Sequence, residues 1–331
     1  MNTTNLVSQI NARLPDADRD SLLRYSRQLL RGLGAPLLGL ALFLLLWQVA
    51  AQQVDTSLGQ LPGPLAVAEQ ALNLYDEHVA EREKAAAFYQ RQEDRIAERL
   101  EKQLDWQPTR RSYTGAPTFL DQIGTSLFTV LAGFVLASIA AIPLGIVMGL
   151  SRFVSNAINP LVQLFRPVSP LAWLPLVTLV VSAVYTSDNP IFARSFVVSM
   201  VTVTLCCLWP TLINTAVGVT TVSQDLNNVS KVLRLGWFTH VRKIVLPSAI
   251  PMMFTGLRVS LGIAWMVLIA AEMLAQNPGL GKFIWDEFQN GSSQSLSRIM
   301  VAVLAIGLIG FALDRLMLMV QRRIDWQKGG Q

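Results

Sequence analysis

Apolar and polar residues are arranged along this chain in long blocks rather than residue by residue. Six blocks that are mainly apolar recur, at 35–52, 125–149, 170–186, 195–217, 253–274 and 298–320. An α-helix rises ~1.5 Å per residue, so each block crosses, or nearly crosses, a hydrocarbon core of ~30 Å. The pattern predicts an all-α, polytopic membrane protein with about six transmembrane helices.

The polar segments divide the chain further. Residues 1–34 form a basic, amphipathic segment in which leucines at helical spacing alternate with arginines. This pattern fits either a helix on the membrane surface, with its arginines toward lipid headgroups, or an ordinary solvated helix. The segment 53–124 separates the first block from a core at 125–320 that holds the other five, and 321–331 forms a short tail.

Within 53–124, residues 72–104 predict one long charged helix. Oppositely charged residues recur at three- or four-residue spacing, as at Glu98 and Lys102, and such pairs support a solvent-exposed helix. Prolines on both sides limit its length. Two interpretations stay open, a solvated spacer or a docking surface for a partner protein or a neighbouring subunit.

The basic residues predict the orientation. Lys and Arg are concentrated in 151–166, in 218–252 and in the tail after 320, whereas the short segment 187–194 has only Arg194. Basic residues mark the cytoplasmic side, so we expect both termini in the cytoplasm and 53–124 outside. The net charge of +5 follows from the same bias. Nucleic-acid binding is not indicated, because no basic run with interleaved aromatic residues occurs.

The sequence offers no chemistry for catalysis, and we expect no cofactor in this chain. Cys206 and Cys207 are adjacent, and His78 lies far from His240, so no metal-site spacing is present. Gly281-Lys282 is followed by Phe and lacks the earlier glycine of a phosphate-binding loop. An intramembrane enzyme would need a nucleophile–base pair or a motif such as His-Glu-x-x-His, and neither is present.

The segment 224–251, between the fourth and fifth blocks, is the most informative. Its apolar residues fall on two helical faces separated by a turn at Gly236: Val229, Val232, Leu233 and Leu235 on one, and Phe238, Val241, Ile244 and Val245 on the other. Pro247 and Pro251 are expected to end the second helix. Such faces are too polar for lipid and too apolar to stay solvated, so this helix pair requires a protein partner.

This segment resembles the cytoplasmic coupling motif of ABC importer permeases: Glu-Ala-Ala, three residues, Gly, nine residues, Ile, one residue, Leu-Pro. Ile244, Leu246 and Pro247 match its end, and 228–230 falls on Glu-Ala-Ala. Arg234 occupies the position of the Gly, and Gly236 follows two residues later. The resemblance implies that coupling to a separate ATPase involves Asn228, Val229, Ser230, Val232, Leu233, Arg234, Gly236, Phe238, Val241, Ile244, Leu246 and Pro247.

A second resemblance narrows the family. Residues 166–176, Arg-Pro-Val-Ser-Pro-Leu-Ala-Trp-Leu-Pro-Leu, are similar to a signature of the nitrate/sulfonate/bicarbonate branch of these permeases. Shorter matches follow at 255–258, 271–273, 279–281 and 313–315, so the resemblance covers about 120–320. The context of Phe254–Arg258 and of Ala264-Trp265 is most similar to the nitrate permeases.

The resemblance implies a type I ABC importer permease fold in a bacterial inner membrane, with 125–320 as the permease core. It implies a homodimer, two ABC ATPase subunits that hold ATP and Mg, and an extracytoplasmic substrate-binding protein. The expected cargo is a small anion, nitrate or nitrite first. Sulfonate or taurine, bicarbonate and cyanate stay open as cargo. Outside transport, the alternative is a membrane scaffold, although a pure scaffold has no need for a helix pair shaped to an ATPase.

Polar and aromatic residues inside the blocks are candidates for the translocation pathway. Intramembrane charge is costly and therefore suggests a function, and prolines 167, 170 and 175 break the helix at the start of the third block. The candidates are Ser169, Trp173, Arg258, Trp265 and Glu272. The alternatives are that the charges reach toward the interface or pair with each other, as Asp314 with an arginine, and that the tryptophans serve packing.

Overall fold

The computed structural model of the chain describes residues 16–56, 59–102, 107, 109–186, 190–292 and 294–324, with side chains from Gly34 onward. Two units are distinguished, residues 1–68 and 69–331. The elements are α1 Asp16–Gln53, β1 Asp55–Thr56, β2 Gly59–Gln60, α2 Pro64–Lys102, α3 Phe119–Leu150, α4 Arg152–Phe165, α5 Pro170–Val184, α6 Arg194–Thr220, α7 Gln224–Val232, α8 Trp237–His240, a π-helical turn Val241–Val245, α9 Leu246–Ala275, α10 Leu280–Asn290 and α11 Ser295–Ile324.

Within the described part of the chain, five helices are long and apolar enough to cross a membrane. They are the part of α1 from Gly34 to Gln53, α3, α6, the continuous helix Trp237–Ala275 and α11. The helices α4 and α5, bent by 102° relative to each other, make a sixth span if the pair is counted as one broken span. The prediction of an all-α, polytopic fold with about six membrane helices is confirmed.

The third apolar block differs from its predicted form. Residues 151–166 were expected to be a cytoplasmic loop, but Arg152–Phe165 is a helix, and the following helix α5 has only 15 residues. At ~1.5 Å per residue, α5 is ~22 Å long and shorter than a hydrocarbon core. Ser151 caps the start of α4, and Val162 packs its buried face against Met148 and Leu212. Because α4 has 14 residues and only one apolar face, its hydropathy pattern resembles that of a loop.

The core is a parallel pair, α3 and α6, in which small residues allow close approach. Gly145 of α3 lies against Thr215, and Gly149 lies against Val219, so the two helices run in the same direction with a constant register of 70 residues. A Cβ on Gly145 would be 2.8 Å from the carbonyl oxygen of Leu212. Close backbone approach at glycine is a common way to pack helices in membranes, where burial of apolar surface supplies no driving force.

The helix α9 packs antiparallel to α6 and is joined to it by a buried hydroxyl. The Ser260 hydroxyl donates to the carbonyl oxygen of Cys207 at 2.6 Å and accepts from the backbone N–H of Thr211 at 3.1 Å. It lies beside Pro210, which has no N–H to complete the helical hydrogen bonds. Ser260 therefore satisfies backbone groups at a break in α6, which fixes the register of the two helices.

The expectation that Pro247 and Pro251 end the second coupling helix is wrong. The chain is helical without interruption from Trp237 to Ala275. The π-helical turn Val241–Val245 precedes Pro247, and the N–H of Leu246 bonds to the carbonyl oxygen of Val241, five residues back. The wider π turn accommodates the proline ring that would otherwise clash with the preceding turn.

The long charged helix is confirmed, and it begins earlier than expected, with Pro64 as its first residue. In the unit 69–331 it is fixed to the segment that follows it. The Tyr113 hydroxyl donates to the Glu81 carboxylate at 2.7 Å, and Arg82 lies 2.5 Å from the carboxylate of Asp121. The hydrogen bond to Tyr113 lowers the pKa of Glu81 and raises the pKa of Tyr113. The side of the membrane on which this helix lies stays a prediction.

The first unit contains the first membrane helix and a small hairpin. The strands β1 and β2 pair antiparallel, with Asp55 opposite Gln60. The indole Nε1 of Trp47 donates to the carbonyl oxygen of Pro62 at 3.2 Å, which fixes the chain leaving the hairpin to the end of α1. The predicted amphipathic face of residues 1–34 lies outside the side chains that the structure describes.

Candidate functional site

The coupling segment 224–246 folds as two helices joined by a tight turn. The Ser223 hydroxyl caps α7 by accepting from the N–H of Leu226 at 3.4 Å. At the other end, the N–H of Leu235 bonds to the carbonyl oxygen of Ser230 at 3.0 Å, and the N–H of Arg234 bonds to that of Lys231 at 3.1 Å. These two bonds form a Schellman motif, which closes a helix around one left-handed residue.

The left-handed residue is Arg234, with φ 48°, and the turn expected at Gly236 is therefore two residues earlier. Gly236 has φ −65° and ψ 155°, extended values that any residue adopts. Arg234 occupies the position of the Gly in the coupling motif, so the backbone keeps the geometry that the motif requires. A non-glycine residue in this conformation costs roughly 1–2 kcal/mol.

A hydrogen bond joins the two coupling helices. The Ser230 hydroxyl is buried and lies 2.8 Å from Nδ1 of His240. Sequence analysis identified Ser230 but missed His240, because ten residues separate the two and no helical period relates them.

The apolar residues of the coupling segment divide into an exposed set and a buried set, and Trp237 and Val245 join the predicted coupling residues in them. Ile244 and Val245 are buried against a cluster with Val219 and Met253, and Val241 and Leu246 pack beside them. The outer coupling face consists of apolar side chains that are about half exposed or more: Val229, Val232, Leu233, Trp237 and Phe238. Exposed apolar side chains concentrated on two neighbouring short helices indicate a protein-binding site.

A cavity of about 630 Å³ lies beside the outer coupling face. Its polar lining includes Asn228 and Lys231, whose side chains provide hydrogen-bond donors and a positive charge next to the apolar patch. The lining residues are Gln224, Asn227, Asn228, Ser230, Lys231, Leu235, Trp237 and His240. An apolar face with a polar rim is the usual composition of a protein–protein interface.

Of the pathway candidates, Ser169 and Trp173 lie at the bend between α4 and α5. The Ser169 hydroxyl caps α5 by accepting from the N–H of Leu171 at 3.3 Å. The ring of Trp173 lies 5.8 Å from that of Phe165, the last residue of α4. Both residues therefore stabilise the bend, and a direct role in transport stays a prediction.

Arg258 pairs with Asp314 across α9 and α11. Its Nη2 donates to one carboxylate oxygen at 2.9 Å and its Nε donates to the other. The pair lines a cavity of about 520 Å³ together with Thr255, Val259, Leu318, Gln321 and Arg322. Asp314 therefore compensates the charge of Arg258. The pair matches the alternative left open by the sequence analysis, in which Asp314 pairs with an arginine.

Trp265 and Glu272 are buried and have partners inside the protein. The indole Nε1 of Trp265 donates to the carbonyl oxygen of Ile306 at 3.0 Å. The Glu272 carboxylate is 1% exposed and accepts from the Ser126 hydroxyl at 2.8 Å and from the N–H of Gly281 at 3.0 Å. It thereby holds the start of α10 against α3 and α9. Neither residue lines the cavity beside Arg258, and their role in the pathway stays a prediction.

Comparison with known proteins agrees with this architecture. Residues 141–326 match the family described as "Binding-protein-dependent transport system inner membrane component". The bicarbonate transport system permease protein CmpB of Synechococcus elongatus is 36% identical over 312 residues, 93% of this chain and 95% of that protein. The nitrate import permease protein NrtB of the same organism is 38% identical over 204 residues, 62% of this chain and 69% of that protein. NrtB of Leptolyngbya laminosa is 39% identical over 209 residues, 62% of this chain and 70% of that protein.

A solved structure shares the fold at low sequence identity. A chain of the MetNI methionine ABC transporter superposes with a TM-score of 0.53 at 13% identity, over 62% of this chain and 95% of that chain. The helices, the coupling motif and the relatives agree, and the chain belongs to the family of binding-protein-dependent transport system inner membrane components, as an ABC importer permease subunit of the nitrate and bicarbonate branch.

Proposed function

We propose that this permease subunit imports a small monovalent oxyanion, nitrate (or nitrite) first, and that a separate ATPase drives it through the coupling segment 224–246. The outer coupling face is the observation that supports this mechanism most directly. Its apolar side chains stay exposed, while the buried residues of the same segment fix it to the core. Such a face suits a groove on a partner subunit.

The continuous helix Trp237–Ala275 provides the mechanical connection. A displacement of α8 by the ATPase is transmitted along the helix axis into the membrane, because a packed helix moves as a rigid element. The Ser230–His240 hydrogen bond makes α7 follow α8. We therefore propose that both coupling helices and α9 move together when ATP is bound or hydrolysed.

The partners follow from this arrangement. One chain provides one coupling segment, so a permease homodimer would bind two ATPase subunits, which hold ATP and Mg. An extracytoplasmic binding protein would deliver the anion, and both termini of the permease would lie in the cytoplasm of a bacterial cell. The scaffold alternative is set aside, because the chain belongs to an importer family.

Bicarbonate is the second candidate cargo, and one observation favours it. The relatives named for nitrate are 38–39% identical over about 62% of this chain, whereas two relatives named for bicarbonate are 36% identical over 93% and 40% identical over 60% of it. One of the bicarbonate relatives thus also aligns outside the core. Nitrate and bicarbonate are both planar, singly charged oxyanions, and one donor-rich site suits both. Sulfonates and cyanate are the remaining alternatives.

The decisive experiment is ATP hydrolysis by the purified complex in lipid, with its ATPase and binding protein, in the presence of nitrate, nitrite, bicarbonate, cyanate or taurine. We expect nitrate to stimulate hydrolysis most. Leu233→Glu and Phe238→Glu, both on the outer coupling face, should abolish binding of the ATPase. Val79→Glu on α2 is the matched control, because it also places a charge on an exposed apolar site.

Two results would overturn the proposal in different ways. Stimulation by taurine alone would replace the oxyanion by a sulfonate and leave the coupling mechanism intact. Full ATPase binding and stimulation in both coupling-face variants would remove the coupling role of 224–246.

A further inference from the structure

The bend between α4 and α5 forms one wall of a cavity whose other walls come from α6 and α9, and Arg166 is exposed on this wall. The two helices meet at 102°, and residues 166–169 connect them. The cavity has a volume of about 320 Å³. Its lining comes from the bend, from α6 and from α9: Arg166, Val168, Pro170, Cys206, Trp209, Pro210, Ile213, Asn214, Val259, Ile263, Met266 and Val267.

The polar side chains of this cavity are mainly hydrogen-bond donors. Arg166 is the one charged residue of the lining, and among the residues that the structure describes no carboxylate lies within ion-pair distance of it. The buried indole Nε1 of Trp209 has no hydrogen-bond partner in the same part of the chain. Asn214 donates to the carbonyl oxygen of Pro210 at 2.8 Å, and its second amide N–H is not used by that bond.

The indole of Trp209 is held in place by aromatic packing. The Trp209 ring stacks on Phe165 with a centroid distance of 6.3 Å and an interplanar angle of 10°. Phe165 directly precedes Arg166 and also contacts Trp173. The bend and the indole are therefore packed together, and the exposed Arg166 follows Phe165 in the chain. A donor fixed in this way, such as the indole, loses little entropy when a ligand binds.

Arg258, the arginine that sequence analysis placed in the pathway, differs from Arg166 in its charge balance. Asp314 holds the Arg258 guanidinium in a bidentate pair, so the two charges cancel. The cavity beside Arg166 contains no acidic side chain in its described lining and keeps a full positive charge. A guanidinium without a carboxylate partner, with further donors beside it, is the composition expected of an oxyanion site.

We propose that this cavity binds the transported oxyanion, with the Arg166 guanidinium as its main ligand and the Trp209 indole and the Asn214 amide as additional donors. This inference rests on the proposed function and adds the residues that hold the cargo. Nitrate suits the cavity, because all of its oxygens are acceptors. Bicarbonate has one hydroxyl that requires an acceptor, and Asn214 provides the only side-chain oxygen of the described lining.

The position of the cavity links it to the ATPase. Asn214 lies six residues before the end of α6 at Thr220, and Val259 lies 13 residues after the start of α9 at Leu246. At ~1.5 Å per residue these residues lie ~9 Å and ~20 Å along their helices from the ends that lead into the coupling segment. Because α9 is continuous with α8, a displacement of the coupling segment moves the wall that Val259 and Ile263 form.

The test is uptake of isotopically labelled nitrate and bicarbonate into liposomes that contain the complete complex. We expect Arg166→Gln to lower uptake at least about tenfold and to raise the anion KM, because a hydrogen bond to a charged group is lost. Arg166→Lys keeps the positive charge but loses the bidentate donors of the guanidinium, so its uptake rate should lie between those of the wild type and Arg166→Gln. Trp209→Phe keeps the ring without the donor and should lower uptake less than Arg166→Gln.

Arg194→Gln is the matched control, because it removes an exposed arginine at the other end of α6. We expect it to leave uptake unchanged. Co-elution with the ATPase checks assembly in every variant. If Arg166→Gln does not assemble, Asn214→Asp tests the site independently, because its carboxylate pairs with Arg166 and excludes an anion.

The possible results distinguish a failure of the proposed anion site from a failure of the proposed transport function. Uptake in Arg166→Gln or Asn214→Asp within about twofold of the wild-type complex would overturn the anion site and leave the importer assignment intact. An equal loss in Arg194→Gln would also overturn it, because the effect would then be one of general charge. If the wild-type complex imports none of these anions, the proposed function fails, and the site fails with it.

Discussion

The hydroxyl of Ser230 lies 2.8 Å from Nδ1 of His240 and joins the two coupling helices across their turn. Ser230 is buried at the end of α7, and His240 ends α8. The other direct connection is the Schellman turn around Arg234. The outer coupling face therefore comes from two short helices whose relative position depends on one side-chain hydrogen bond and one strained turn.

The hydrogen bond can be tested with a double-mutant cycle. Ser230→Ala and His240→Ala should each weaken binding of the ATPase by about 1 kcal/mol, because each removes the same hydrogen bond. The double variant should bind no more weakly than the worse single variant. The measurement is the Kd between the permease in lipid nanodiscs and its ATPase. Additive losses would show that the two residues act independently.

The left-handed conformation of Arg234 leads to a second prediction, which concerns backbone strain in the turn. Arg234→Gly should leave stability unchanged or raise it by up to about 1 kcal/mol, because glycine adopts φ 48° without a steric cost. Arg234→Val should lower it by about 1–2 kcal/mol, because a β-branched residue is least tolerant of positive φ. Thermal unfolding of the permease measures both.

Gly236→Ala is the control for this pair. It should be neutral, because φ is −65° there and no atom lies within 4 Å of an added Cβ. A larger loss in Gly236→Ala than in Arg234→Val would contradict the assignment of the left-handed position.

The apolar blocks were predictable, because a run that is long enough to cross the membrane is visible in one sequence without any tertiary information. The blocks at 195–217 and 253–274 lie within α6 and α9 for this reason. Helix α4 was missed, because its packed face consists of the buried Val162 and the partly buried Val154 and Ile158, with polar residues between them. The passage of a helix through Pro247 was missed, because a proline normally ends a helix and no local signal indicates a π turn.

The residues that form the sites were harder to predict from the sequence than the positions of the membrane helices. The coupling segment is local in sequence, so its motif identified most of its residues. The Arg258–Asp314 pair and the cavity at Arg166 depend on which helices are neighbours, and a register between distant helices is not encoded in any short pattern. Arg166 was assigned to a cytoplasmic loop, because its charge fits the positive-inside rule, and that side of the membrane stays a prediction. The cavity that Arg166 lines together with α6 and α9 could not be seen in the sequence.

The register of α3 and α6 predicts which glycines tolerate a side chain. Gly145→Val and Gly149→Val should each destabilise the permease by about 1–3 kcal/mol through overpacking, because their side chains would meet Thr215 and Val219. Gly262→Val in α9 is the matched control, because no neighbouring atom lies within 4 Å of its added Cβ. Thermal unfolding in the same detergent compares them. Equal effects at all positions would show a propensity effect rather than a packing effect.

The contact between Glu81 and Tyr113 predicts a pH window. Their hydrogen bond lowers the pKa of Glu81 from 4.5 and raises that of Tyr113 from 10.0. The lowered carboxyl pKa contributes stability above pH 4.5 that is lost as pH falls through the folded pKa. The raised phenol pKa contributes stability below pH 10.0 that is lost as pH rises through its folded value. The segment around Tyr113 should therefore stay bound to α2 between these limits.

Tyrosinate absorbance measures this, with Tyr113→Phe subtracted from the wild type to isolate one of five tyrosines. In Glu81→Gln, the pKa of Tyr113 should return toward 10.0, because no carboxylate then opposes ionisation. Glu83→Gln on the same helix removes an equal charge without this hydrogen bond and should leave the raised pKa of Tyr113 in place. An unchanged titration in Glu81→Gln would show that the contact is absent in solution.

The last prediction concerns the Arg258–Asp314 pair. It tests whether Arg258 only stabilises the helix packing or also binds the transported anion. Asp314→Asn should lower the thermal stability of the permease modestly, because it leaves the Arg258 guanidinium without its carboxylate partner and the pair is partly exposed. The double variant Arg258→Gln with Asp314→Asn should recover part of that loss, since two neutral amides can hydrogen-bond to each other. Thermal unfolding provides the cycle, and anion uptake by the double variant provides the functional result. If Arg258 only joins α9 to α11, uptake keeps the wild-type KM in the double variant. A large rise in KM would instead give Arg258 the role in the pathway that the sequence predicted, and the pair with Asp314 would then be the resting state of a binding residue.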